Sequence, residues 1–79
     1  MPRKKRDIRR DYRNVGFSER QGKGDHVIYS HPLLSEDYVV AGVDGKDALE
    51  YDERNLRKAK QELTAAQRRL RRQQKGNQP

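Results

Sequence analysis

Leu56, Ala59, Leu63, Ala66 and Leu70 follow one another at steps of three and four, with neither glycine nor proline among them. Upstream, glycine and proline interrupt everything, so the chain can build one long amphipathic helix and otherwise only short elements. Asp52 is a suitable N-cap for that helix and Glu53 sits in its first turn, while Arg68 to Arg72 load its last turns, where cations suit the negative end of the dipole. Leucines at 49, 56, 63 and 70 fall seven apart and invite a leucine-zipper reading. The complementary seam positions are Glu53, Lys60 and Gln67, and no continuous basic helix feeds them, so the stripe reads as a helix packing on its own sheet.

The upstream elements are short. Ile8, Tyr12 and Val15 recur at helical spacing and Gly16 follows where a left-handed C-cap would sit, which predicts a helix over residues 5 to 15. Phe17 to Gln21 reads as an edge strand, and the glycine-rich turn after it leads into His26 to His31, a β-branched and aromatic run that ends at Pro32. Pro32 to Asp37 is a loop, and Tyr38 to Val43 is a third strand ended by the Asp44-Gly45 turn signal. The expected fold is α+β, αβββα in order: a three-stranded antiparallel meander with two helices on one face and the other face open to a ligand. Residues 1–72 form one domain in this reading, and 73–79 a disordered tail.

Composition narrows the partners. With 39% charged and 30% hydrophobic residues, a thin two-layer core worth a few kcal/mol is the most the chain can hold, and a multidomain enzyme is excluded. No cysteine is present, which removes disulfides, thiolate metal sites and cysteine nucleophiles and fits an intracellular chain. The longest unbroken apolar run, Tyr38 to Ala41, is far too short to span a bilayer. The net charge of +7 sits at the ends: residues 1–10 carry six basic side chains and one acidic, residues 68–75 five and none, residues 11–67 eight against eleven. Such an electropositive frame points to a polyanion, nucleic acid first. The run PRKKR near the start fits a nucleic-acid-binding tail or a nuclear address equally well.

His26 and His31 are the only two histidines and bracket the central strand. Side chains alternate, so His26, Ile28 and Ser30 share one face and Val27, Tyr29 and His31 the other. Tyr29 and Val27 favour the helix side, which turns His26 to the open face as a candidate for proton transfer near neutral pH; the plainer alternative is an exposed polar residue. Beside it, Gln21-Gly22-Lys23-Gly24-Asp25 sets a lysine between two glycines, a composition that lets backbone N–H groups approach a phosphate. It lacks the spacing of a P-loop, and a simple hairpin turn with a solvated lysine is the competing reading. Asp25 could orient the imidazole or only close the turn. No metal or cofactor is expected: the histidines are five apart on opposite strand faces, and Asp44, Asp47, Glu50, Asp52 and Glu53 read as turn formers and helix N-terminal charges.

Gly16-Phe17, the segment RQGKGDH (Arg20 to His26), IYSHP (Ile28 to Pro32) and AGVDGKDA (Ala41 to Ala48) resemble the HicA family of toxin-antitoxin mRNA interferases over about two-thirds of the chain. The resemblance implies a fold like a double-stranded RNA-binding domain and metal-independent cleavage of mRNA. For such a nuclease Arg20, Lys23, Lys46 and the turn backbone at Gly22 and Gly24 are the expected RNA contacts, and the resemblance places a single catalytic histidine after a K-G-S-H-like turn, here His26. It also implies a HicB-like antitoxin as partner and a prokaryotic cytoplasm as location. Asp25 stands where serine is usual, Val27 where a second histidine is frequent, and VVAGVDG where the family has VPVHGG. A non-catalytic RNA-binding module of the same fold is the alternative expectation, and a basic structural protein a third.

Overall fold

The computed structural model describes residues 2–76, with side chains through Gln73. Its elements are α1 (Lys5–Asn14), β1 (Ser18–Gln21), β2 (Val27–Ser30), β3 (Tyr38–Val40) and α2 (Glu50–Gly76). The sheet runs in the order β1-β2-β3 with both pairs antiparallel, so the αβββα α+β architecture is as expected. Of the tail expected over 73–79, residues 73–76 continue α2 and residues 77–79 lie outside the described residues.

The stop of α1 follows from Gly16. With φ at +104°, Gly16 donates its N–H to Arg13 O at 3.1 Å while Phe17 donates to Tyr12 O at 3.0 Å, the two bonds of a Schellman motif. The hydrophobic contact that accompanies such a stop is present too, since the Phe17 ring meets Tyr12 edge-on at 5.3 Å. The chain is thereby aimed straight into β1.

α1 and β1 differ from the expectation by one residue each, and the larger differences fall in the other three elements. β2 is four residues long, so both histidines fall just outside it; the His26 N–H goes to Lys23 O at 3.1 Å and closes the turn. β3 stops at Val40 because the Arg9 guanidinium takes the carbonyls of Val40 and Gly42, which leaves them no role in a ladder. α2 begins at Glu50, before Asp52. Asp52 is therefore not the N-cap but lies in the first turn, where its Oδ2 accepts the Leu49 N–H at 2.9 Å.

Register places Glu19 against Tyr29 and Tyr29 against Tyr38 on one face, and Arg20 against Ile28 and Ile28 against Val39 on the other. The first face carries the core. Ile8 and Tyr12 of α1, Tyr29, Tyr38 and Val40 of the sheet, and Leu56, Ala59 and Leu63 of α2 form one cluster with Phe17, so both helices cover the same side. Tyr12 stacks on Tyr29 at 4.6 Å between ring centres. Tyr29 donates its hydroxyl to Glu19 Oε2 at 2.8 Å, and Tyr38 donates to Glu62 Oε2 at 2.8 Å.

These phenols give the fold an alkaline limit. Burial raises the ionisation of Tyr12, Tyr29 and Tyr38 well above the ordinary tyrosine value; the hydroxyl bonds to Glu19 and Glu62 add to the shift at Tyr29 and Tyr38, and the Asp52 charge adds to it at Tyr12. A group whose folded value is raised contributes stability that is fully present below its unfolded value, about 10 for tyrosine, and is lost as pH rises past it. The melting temperature is expected to fall steeply above that pH, with phenolate absorbance rising together with loss of the far-ultraviolet helix signal. Phenolate forming fully while the helix signal is intact would contradict the burial.

Candidate functional site at the first hairpin

The turn between β1 and β2 is built by its glycines. Gly24 has φ +63° at the second position of the tight turn Lys23 to His26, and the Gln21 side-chain amide donates to Gly24 O at 2.8 Å and His26 O at 3.2 Å. At Gly22 a Cβ would lie 3.2 Å from Ile28 Cδ1 and 3.3 Å from His26 Cβ. A side chain here would press on the His26 and Ile28 side chains, which would have to give by a few tenths of an ångström. The same geometry puts His26 beside Ile28, whose register partner on the open face is Arg20. His26 thus lies toward the face that neither helix covers, although it stands at the end of the turn and not within the strand.

The His26 side chain is 52% exposed, and its Nδ1 stands 3.3 Å from Asp25 Oδ1. His31 is a different kind of residue. Its ring packs edge-on against Phe17 at 5.6 Å, and its Nδ1 accepts the Leu33 N–H at 3.1 Å, so it shapes the loop that follows β2. Between the two, only His26 offers a ring to solvent without a structural task.

The expected contact residues separate into two groups. Lys23 is exposed on the turn with no carboxylate at ion-pair distance among the described residues, and the space around Gly24 is open. Arg20 lies on the open face but holds Asp37 at 3.1 Å; with the two side chains 58% and 44% exposed, that pair is worth at most about 1 kcal/mol and a phosphate can compete for it. Lys46 belongs to the loop before α2, and it lines with Asp25, Ala41, Leu49 and Tyr51 a hollow of about 500 Å³. Residues 20, 22, 23, 24 and 26 therefore belong to one hairpin, and Lys46 lies apart from it in a hollow that it lines together with Asp25.

Arg9 holds this arrangement and was not singled out from the sequence. Its side chain is 8% exposed; it pairs with Asp44 and donates to the carbonyls of Asp25, Val40 and Gly42, fastening the turn that carries His26 to the end of β3. The signal was present, since Lys5 and Arg9 fall on the α1 face of Ile8 and Tyr12, where a basic residue is buried only if it has a partner.

The electropositive frame needs correcting at its first end. Arg3 pairs with Asp11 and Glu53, Lys4 with Asp47, Lys5 with Asp52, Arg9 with Asp44, Arg10 with Asp7 and Arg13 with Glu19. Arg3, Lys4, Lys5 and Arg9 are thus held by carboxylates from the acidic middle of the chain, while Arg6 is exposed with no carboxylate at ion-pair distance among the described residues, so most of the N-terminal charge does not form a free basic arm. Among the described residues no group of three or more histidines and carboxylates stands together. Among the described residues no helix is long and apolar enough to cross a membrane. Comparison with family models, curated proteins and solved structures finds no match for the chain.

Proposed function

We propose that the chain is a metal-independent endoribonuclease that cuts mRNA by intramolecular transesterification, with His26 as its general base, in the manner of the HicA-type toxins it resembles. The observation that carries this reading is the solvent-facing His26 ring with Asp25 on one side of it. A carboxylate 3.3 Å from Nδ1 favours the tautomer protonated there, which leaves Nε2 as the basic nitrogen pointing outward.

In the step that follows, Nε2 takes the 2′-hydroxyl proton and the 2′-oxygen bonds to the adjacent phosphorus. The bond from phosphorus to the 5′-oxygen breaks, and that oxygen takes a proton from water. The products are a 2′,3′-cyclic phosphate and a free 5′-hydroxyl. Lys23 and Arg20 supply positive charge, and Gly22 and Gly24 allow the close approach of backbone that a phosphate gaining charge requires. Lys46, which lines a hollow with Asp25, would hold a neighbouring phosphate. A HicB-like antitoxin would act by covering the hairpin end, and the whole would operate in a prokaryotic cytoplasm.

The chemistry is tested with an RNA oligomer and its copies carrying one 2′-deoxynucleotide. Cleavage in the presence of a chelator, ends bearing cyclic phosphate, and loss of the cut only where the deoxynucleotide precedes it are expected. RNA that is bound but left whole would make the chain a non-catalytic binding module instead.

A further inference from the structure

The excess charge of this protein has one address. Residues 57–76 hold eight Lys and Arg against the single acid Glu62, a surplus of +7 that equals the net charge of the entire chain. The rest is balanced. On α2, at 100° per residue, Arg57, Lys60, Arg68 and Arg71 fall within one stripe about 80° wide, turned well away from the line of Leu56, Ala59 and Leu63 that packs on the sheet. All four are exposed, and among the described residues none has a carboxylate at ion-pair distance; the ion pairs α2 does make with its own exposed basic residues use Arg54 and Lys58. Glu62 lies on another side, occupied with Tyr38 and Lys58.

We infer that this stripe is a phosphate-backbone rail, about 21 Å long at 1.5 Å per residue, along which α2 holds RNA. The choice of RNA over DNA rests on the nuclease reading above; the choice of a polyphosphate rests on the stripe itself. A protein partner would call for aromatic or large apolar anchors, and the positions between the cations carry Gln61, Thr64 and Gln67. A membrane surface would call for an apolar flank, and the apolar flank of α2 is already buried through Ala66. What is left is a row of unpaired cations without bases or side chains to read, which gives affinity without sequence preference.

The test uses the His26→Ala chain, so that RNA stays whole, and oligouridylate as the probe, with binding measured against salt concentration. Replacing Arg57, Lys60, Arg68 and Arg71 together by Gln is expected to lower the slope of log affinity against log salt by about 3, since each phosphate contact on a single strand accounts for about 0.7. Glutamine is a good helix former, so helix content should persist. A matched variant with Arg54, Lys58, Arg69 and Arg72 changed to Gln removes equal charge from the same helix outside the stripe and is expected to leave the slope nearly intact. Equal losses from both variants, or none from the first, overturn the rail. So does unchanged RNA binding with lost binding of polyglutamate, which would assign the stripe to an acidic protein. If the slope falls as stated but the unmutated chain never cuts RNA, the rail stands and the nuclease reading alone fails.

Discussion

Changing Lys5 to Met is expected to unfold this protein or bring it close to unfolding at room temperature. Lys5 Nζ lies 2.6 Å from Asp52 Oδ2, with the two side chains 6% and 0% exposed, so the pair is cut off from water. Breaking a buried pair by removing one partner costs about 3–5 kcal/mol, because the charge left behind has neither solvent nor counter-ion. Asp52 already has one buried oxygen, Oδ1, without a hydrogen-bond partner, and so has little to fall back on. A domain of this size has a net stability of about 4–12 kcal/mol, so the loss is a large share of the whole. Thermal melts followed by circular dichroism should show a drop of tens of degrees or no transition. Replacing both residues, Lys5→Met with Asp52→Leu, should recover most of it, since apolar groups of similar volume substitute for a buried pair at little cost. A single substitution that costs under about 1 kcal/mol would mean that water reaches the pair.

The second large effect is catalytic. His26→Ala is expected to slow RNA cleavage by about 10²- to 10⁴-fold, the usual contribution of one general base, while the melting temperature and RNA affinity hold. The fold should not notice: the ring is half exposed, and the bonds that close the turn come from the His26 backbone, which donates to Lys23 O and accepts from Gly22 N–H. The two variants are thus mirror cases. On the proposed mechanism Lys5→Met would remove activity by removing the protein, and His26→Ala would remove it from a protein that is still there. A folded His26→Ala chain that cuts RNA at the original rate would end the proposed mechanism.

What could be read in advance was what neighbours along the chain decide. The stripe from Leu56 to Ala66, the stop at Gly16 and the inward face of Tyr29 each depend on residues within a few positions of one another, and each is where the pattern puts it, whereas Leu70, the last member of the expected stripe, is exposed. Alternation likewise aimed His26 away from the helices. The parts that could not be read join distant positions. Lys5 meets Asp52 across 47 residues and Arg9 meets Gly42 across 33, and no local pattern says which acid a basic residue will find. For the same reason the N-terminal charge looked free: six cations in ten residues suggest a basic arm until the fold brings the carboxylates of Asp44, Asp47, Asp52 and Glu53 to four of them, Arg9, Lys4, Lys5 and Arg3. The β3 boundary failed with them, since it is the Arg9 side chain that withdraws the carbonyls a longer strand would use.

Past Ala66 the long helix leaves the body of the molecule, and residues 67–73 are all exposed. Among the described residues that overhang makes no ion pair, and Arg68, Arg69, Arg71 and Arg72 repel one another at separations of three and four. Salt that screens this repulsion is therefore expected to favour the helical form of the overhang, independently of the core that Leu56, Ala59 and Leu63 build.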